Sequence, residues 1–130
     1  MLSGPKAAVM IVMKQHGRFL LGKRSHRKAK APGYWCPISG HVEDGESEEE
    51  AVVREAWEEL GVAVRPIRKV ATTRTHDGSV LLHWWATEIV SGTPRPANEE
   101  NSALGWFTAE ELATLEPVFQ EDIELLLGLS

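Results

Sequence analysis

Apolar positions fall into short runs near the start of the chain, a helical stripe in the middle and alternating stretches after it. Ala7–Met13 (AAVMIVM) is unbroken and of strand length. Arg18–Leu21 (RFLL) is a second run, with His16-Gly17 as the turn between them. Ser25–Tyr34 (SHRKAKAPGY) is basic and holds Pro-Gly, so it reads as a loop. Ser47–Leu60 is the clearest helix. Val52, Ala56 and Leu60 stack at i, i+4, i+8, Ser47 with Glu50 forms a capping box, and Gly61 supplies the stop. From Val62 to about Arg74 and over Ser79–Val90 the pattern predicts a long hairpin closed by Asp77-Gly78. Its second strand puts Val80, Leu82, Trp84 and Ala86 on one face and Leu81, His83, Trp85 and Thr87 on the other. Ser91–Asn98 is a loop, Leu104–Phe107 a short strand, and Thr108 with Glu111 a second capping box. Pro117–Leu127 is expected as a last helix with Phe119, Ile123, Leu126 and Leu127 on its apolar stripe. The sum is a mixed α/β fold around one charged helix.

The length of 130 residues suits one domain, 1–130, able to bury roughly two-thirds of the surface its unfolded chain exposes. No apolar run reaches the length of a membrane span, and the first residues lack a signal-peptide cleavage pattern. The single cysteine, Cys36, reads as a small buried hydrophobe, and with no disulfide framework the expected compartment is a reducing cytoplasm. The net charge of −5 disfavours duplex nucleic acid, which needs a positive footprint. Nine of the nineteen carboxylates lie between Glu43 and Glu59, opposed there only by Arg54.

Those carboxylates separate into two groups. Glu48, Glu49 and Glu50 fall in the first turn and complement the helix dipole as a solvated face. Glu55, Glu58 and Glu59 share one side of the helix, distinct from the apolar side. Crowding like charges there costs stability. An all-oxygen, strongly negative set suits a hard cation such as Mg²⁺ or Mn²⁺, and magnesium commonly shares its shell with substrate phosphates.

The run from Gly40 through HVEDG, Glu46, SEEEAVV, Arg54-Glu55-Ala56-Trp57-Glu58-Glu59, Leu60, Gly61 and Val62 resembles the Nudix box, G-x5-E-x7-R-E-U-x-E-E-x-G-U. Every fixed position is matched; Ala56 stands where a larger aliphatic is usual. GWFTAEEL (Gly105–Leu112) is similar to a segment found late in the same family. The resemblance implies an α/β/α sandwich with a mixed sheet that hydrolyses a nucleoside diphosphate linked to a further group. It implies a divalent cation at Glu55, Glu58, Glu59 and the Gly40 carbonyl. Arg54 would orient the carboxylates, with Glu46 as partner and Glu55 in reach. The general base would be Glu55 first and Glu46 second. A loop glutamate six residues before the Trp106 position, Glu100, would join the metal site from the opposite wall.

Outside the box, Arg24 and Arg27, with Lys28 and Lys30, form a candidate phosphate-steering rim. Trp35 is a candidate base-stacking residue as well as a structural anchor, and His41 a candidate substrate contact. Within the family, the short chain looks most like the nucleoside triphosphate-cleaning members. The proline associated with ADP-ribose-cleaving members and the tyrosine associated with dinucleoside polyphosphate-cleaving ones are both absent near His76–Ser79. Prenyl diphosphate isomerases share the fold and a G-H-x-x-x-G-E run, but carry a cysteine where this chain has Ser39. An inactive nucleotide-binding module is the other alternative, yet no box glutamate is missing. The expected partner is a small nucleotide, and a homodimer is compatible with the sequence.

Overall fold

The computed structural model describes residues 6–130. Residues 1–5, which the sequence reading includes in the domain 1–130, lie outside the described residues. The elements are β1 (Lys6–Gln15), β2 (Arg18–Arg24), β3 (Trp35–Cys36), β4 (Ile38–His41), α1 (Glu48–Leu60), β5 (Ala63–Arg74), β6 (Val80–Ser91), β7 (Asn101–Phe107), α2 (Ala109–Thr114) and α3 (Gln120–Gly128).

β1 is the hub of a mixed sheet. It runs antiparallel to β4, parallel to β6 and, over its last two residues, antiparallel to β2. β5 lies outside β6, and β3 and β7 both pair with β2. The β1–β2 turn needs a left-handed backbone at both central residues, His16 (φ 51°) and Gly17 (φ 75°), as two-residue hairpins do.

Alternation along the strands divides the apolar residues between two faces. Val9, Ile11, Met13 and Leu20 pack with Ala51, Val52, Ala56 and Leu60 of α1. Met10, Val12, Phe19, Leu21 and Trp84 pack with Leu112, Ile123 and Leu126 of α2 and α3. The result is an α/β/α sandwich. The β6 faces fall as the alternation requires: Trp84 is buried on the α2/α3 side, while Trp85 packs on the α1 side.

Helix α1 has its capping box, Ser47 Oγ accepting from Glu50 N at 3.0 Å and Glu50 Oε1 accepting from Ser47 N at 2.9 Å. Its far end is held by another segment. Arg95 N donates to Leu60 O at 3.1 Å and Ala97 N to Glu59 O at 2.9 Å, so the loop after β6 supplies partners that the last turn lacks.

Three boundaries differ from the sequence expectation. The last helix begins at Gln120, not Pro117, because Phe119 is an extended N-cap residue (φ −84°, ψ 116°) and packs its ring on Tyr34 at 5.0 Å. β7 begins at Asn101, three residues before Leu104, because β2 offers Arg24 and Lys23 as partners across a bulge. β3 and β4 are additional strands, β4 forming where β1 presents a free edge to Ile38–His41.

Candidate active site

The sequence between β4 and α1 brings the box residues onto one guanidinium. Arg54 projects back from the second turn of α1. Its Nε and Nη2 donate to both oxygens of Glu46 at 2.8 and 3.0 Å. Nη1 donates to Glu55 Oε1 at 2.7 Å and to Glu58 Oε2 at 3.2 Å. Nη2 also donates to the His41 carbonyl at 2.9 Å, tying β4 to the helix. These bonds raise the pKa of Arg54 further. The Arg54 hydrogen bonds hold the Glu46 carboxyl below the ordinary carboxylate range.

Gly40 meets Glu55 directly. A Cβ built on Gly40 would lie 2.0 Å from the Glu55 carboxylate carbon, so any side chain there would drive the carboxylate away. Glu59 lies deeper, only 4% exposed. Its Oε1 accepts from Asn101 Nδ2 at 3.1 Å, and its Oε2 is buried without a hydrogen-bond partner. Burial first, and then the neighbouring Glu55 and Glu100 carboxylates, push its pKa far above the ordinary carboxylate range. An orphaned buried carboxylate oxygen among further carboxylates is a donor set that fits a hard divalent cation. Among the described residues no three such side chains already converge as a finished cage. Glu55 and Glu58 share Arg54 Nη1 instead.

Glu100, in the loop before β7, is within electrostatic reach of Glu59, and Lys28 Nζ donates to its Oε2. The other residues outside the box are less close to the centre. Arg24 turns its Nε onto the Lys30 carbonyl at 3.1 Å. Arg27 faces solvent near Glu99, with 3.8 Å between charged atoms and both side chains more than 80% exposed. The His41 side chain is exposed, and the atom of that residue engaged in the cluster is its carbonyl oxygen.

Trp35 is a correction. It stands opposite Lys23 in the β2–β3 pair and packs edge-on against Phe107 at 5.1 Å, in the α2/α3 layer. Paired residues share a sheet face, so its indole is an anchor on the side away from α1. Glu48 is another. It is no free first-turn charge: Trp85 Nε1 donates to it at 2.8 Å and Lys69 Nζ lies 3.2 Å away. His83 Nδ1 lies 3.5 Å from Glu48 and has no hydrogen-bond partner. Asn101 escaped the sequence reading because its place opposite Arg24 depends on the β7 bulge, which no local pattern announces.

With this geometry in place, the comparisons define the class. The NUDIX domain profile matches residues 4–127, and the chain belongs to the Nudix family. Members of that family are hydrolases of pyrophosphate bonds and generally use divalent cations. The NAD-capped RNA hydrolase NudC of Chromobacterium violaceum is 37% identical over 106 residues, 82% of this chain. The chain spans only 39% of that relative's length. The CTP pyrophosphohydrolase of Escherichia coli is 35% identical over 120 residues, covering 91% of this chain and 86% of the relative. Among solved structures, an ADP-ribose pyrophosphatase from Streptococcus suis superposes with a TM-score of 0.77. It shares 26% identity, with 97% of this chain and 92% of that one covered. No helix among the described residues is long and apolar enough to cross a membrane.

Proposed function

We propose that the protein acts as a nucleoside triphosphate pyrophosphohydrolase dependent on Mg²⁺ or Mn²⁺. The observation that carries this reading is Glu59, buried with one oxygen unpartnered beside the Glu55 and Glu100 carboxylates. Such a site is unstable by itself and gains from a cation that a phosphate chain can share. Likeness to the CTP pyrophosphohydrolase along nearly both whole chains favours a triphosphate. Likeness to NudC, higher in identity but confined to part of that relative, supports a second reading in which the substrate is an NAD-capped RNA.

In this reading Glu55, Glu58, Glu59, Glu100 and the Gly40 carbonyl hold the cation. When bound, the cation neutralises phosphate charge and lowers the pKa of an attacking water. Arg54 fixes the carboxylates through its hydrogen bonds to Glu46, Glu55 and Glu58. Glu55 is the preferred general base, since Arg54 engages both Glu46 oxygens but only one of Glu55.

The test is turnover of a panel of nucleoside triphosphates, a short NAD-capped RNA and ADP-ribose with Mg²⁺ and with Mn²⁺, both products identified by mass. Release of pyrophosphate and a monophosphate from a triphosphate supports the first reading. Preferential cleavage of the NAD-capped RNA replaces it with the second, and no cleavage of any compound overturns both.

A further inference from the structure

The geometry points to Lys28 as the resident counter-ion of Glu100, displaced when a divalent cation binds and then free to hold substrate phosphate. This rests on the metal-site reading of Glu100 given above. Of the basic loop residues, Lys28 is the one whose charged end reaches Glu100.

Three contacts dock the turn that carries it. Ser25 N donates to the Glu100 carbonyl at 3.0 Å, Lys28 N to the Ser25 carbonyl at 3.1 Å, and Arg27 N to Ser25 Oγ at 3.2 Å. The backbone of the turn is thus tied to the same residue that its lysine neutralises. Lys28 has a side chain 33% exposed, and Glu100 one 45% exposed. The pair is accessible to exchange and is not locked in the core. Arg24 is committed to a backbone carbonyl and Arg27 to solvent near Glu99. Among the described residues Glu100 is the one carboxylate partner of Lys28.

Two cations cannot share Glu100 Oε2 cheaply. A divalent ion attracts the carboxylate more strongly than an ammonium does, and the displaced ammonium repels the ion. A displaced Lys28 is then available to the phosphates that the ion itself draws in. Lys28 then opposes metal binding in the empty site and favours phosphate binding in the loaded one. A side chain with a merely structural role does not act with opposite sign on the two.

The experiment uses the full chain in two titrations: Mn²⁺ alone, followed by electron paramagnetic resonance of the free ion, and inorganic tripolyphosphate at saturating Mg²⁺, followed by calorimetry. Lys28→Met is expected to tighten Mn²⁺ binding about threefold or more and to weaken tripolyphosphate binding about fivefold or more. Lys28→Arg is expected to restore the phosphate affinity. In a Glu100→Gln background, Lys28→Met should leave Mn²⁺ affinity unchanged. If Glu100→Gln itself does not weaken Mn²⁺ binding, the ligand reading of Glu100 falls and takes this inference with it. If Glu100→Gln weakens binding but Lys28→Met does not tighten it, the inference alone is overturned. Unchanged tripolyphosphate affinity in Lys28→Met, or no tripolyphosphate binding by the wild type, overturns the phosphate half.

Discussion

The two ends of α1 are both crowded with glutamates, and the protein treats them in opposite ways. At the N-terminal end Glu50 closes the capping box and Glu48 accepts from Trp85 beside Lys69. The helix dipole favours negative charge there. At the C-terminal end the dipole opposes it, yet Glu58 and Glu59 sit in the last turns with no basic residue among them. One Glu59 oxygen is left buried and bare. In the proposed reading, the same residue type is structural where the chain supplies its partners and functional where the chain withholds one.

The largest effect should come from the withheld partner. Glu59→Gln is expected to lower kcat by about 10²-fold or more while the metal-free protein melts no lower than wild type, since the change removes a ligand and a repulsion together. Steady-state turnover with a parallel melt tests it, and near-normal turnover would dissolve the contrast between the two ends. Next, Mg²⁺ at about 100 times its Kd should stabilise the wild type by about 2.7 kcal/mol, with little of this gain left in Glu59→Gln. Thermal melts against Mg²⁺ at constant ionic strength read this directly.

Glu100→Gln should cost about tenfold in apparent Mg²⁺ affinity or kcat, with Glu99→Gln near wild type. Activity against Mg²⁺ concentration distinguishes the two, and a reversed result would shift the assignment by one residue. The pH dependence sharpens the comparison further. Glu59 has its carboxyl pKa raised in the folded protein, so the native state binds more protons than the unfolded one. Metal-free stability then falls as pH rises from the unfolded value of about 4.5 up through the raised one. Asp122, pushed up to about 6 by burial, acts with the same sign, but its effect is complete not far above that pH. A decline of the melting temperature in chelator between pH 7 and 9, abolished by Glu59→Gln, is the expected signature. The smallest effect belongs to the satisfied end. Glu48→Gln should lower stability by about 1 kcal/mol, equally with and without Mg²⁺ in denaturant unfolding.

Sequence reading went furthest where the determinants are local. Ser47, Glu50 and Gly61 bound α1 within a few residues of one another, and the box spacing names the residues that Arg54 gathers. It went less far where a distant strand decides. Ile38–His41 has no distinctive pattern and is a strand because β1 lies beside it. Trp35 owes its direction to Lys23 across the β2–β3 pair, and Asn101 reaches Glu59 through a bulge opposite Arg24. Glu48 looked like a solvated charge because its partners, Lys69 and Trp85, come from β5 and β6.

The strap across the end of α1 gives the site a built-in ruler. Ala97 is clamped to the Glu59 carbonyl, and Glu100 follows three residues later on the facing wall. The gap between the walls is therefore metered by a short length of backbone and not by the packing of the sheet as a whole. Surface loops ordinarily absorb inserted residues at small cost. This one divides into a permissive stretch before Arg95 and a gauged stretch from Ala97 to Glu100, where one added residue would change the aperture of the proposed metal site while leaving the fold intact.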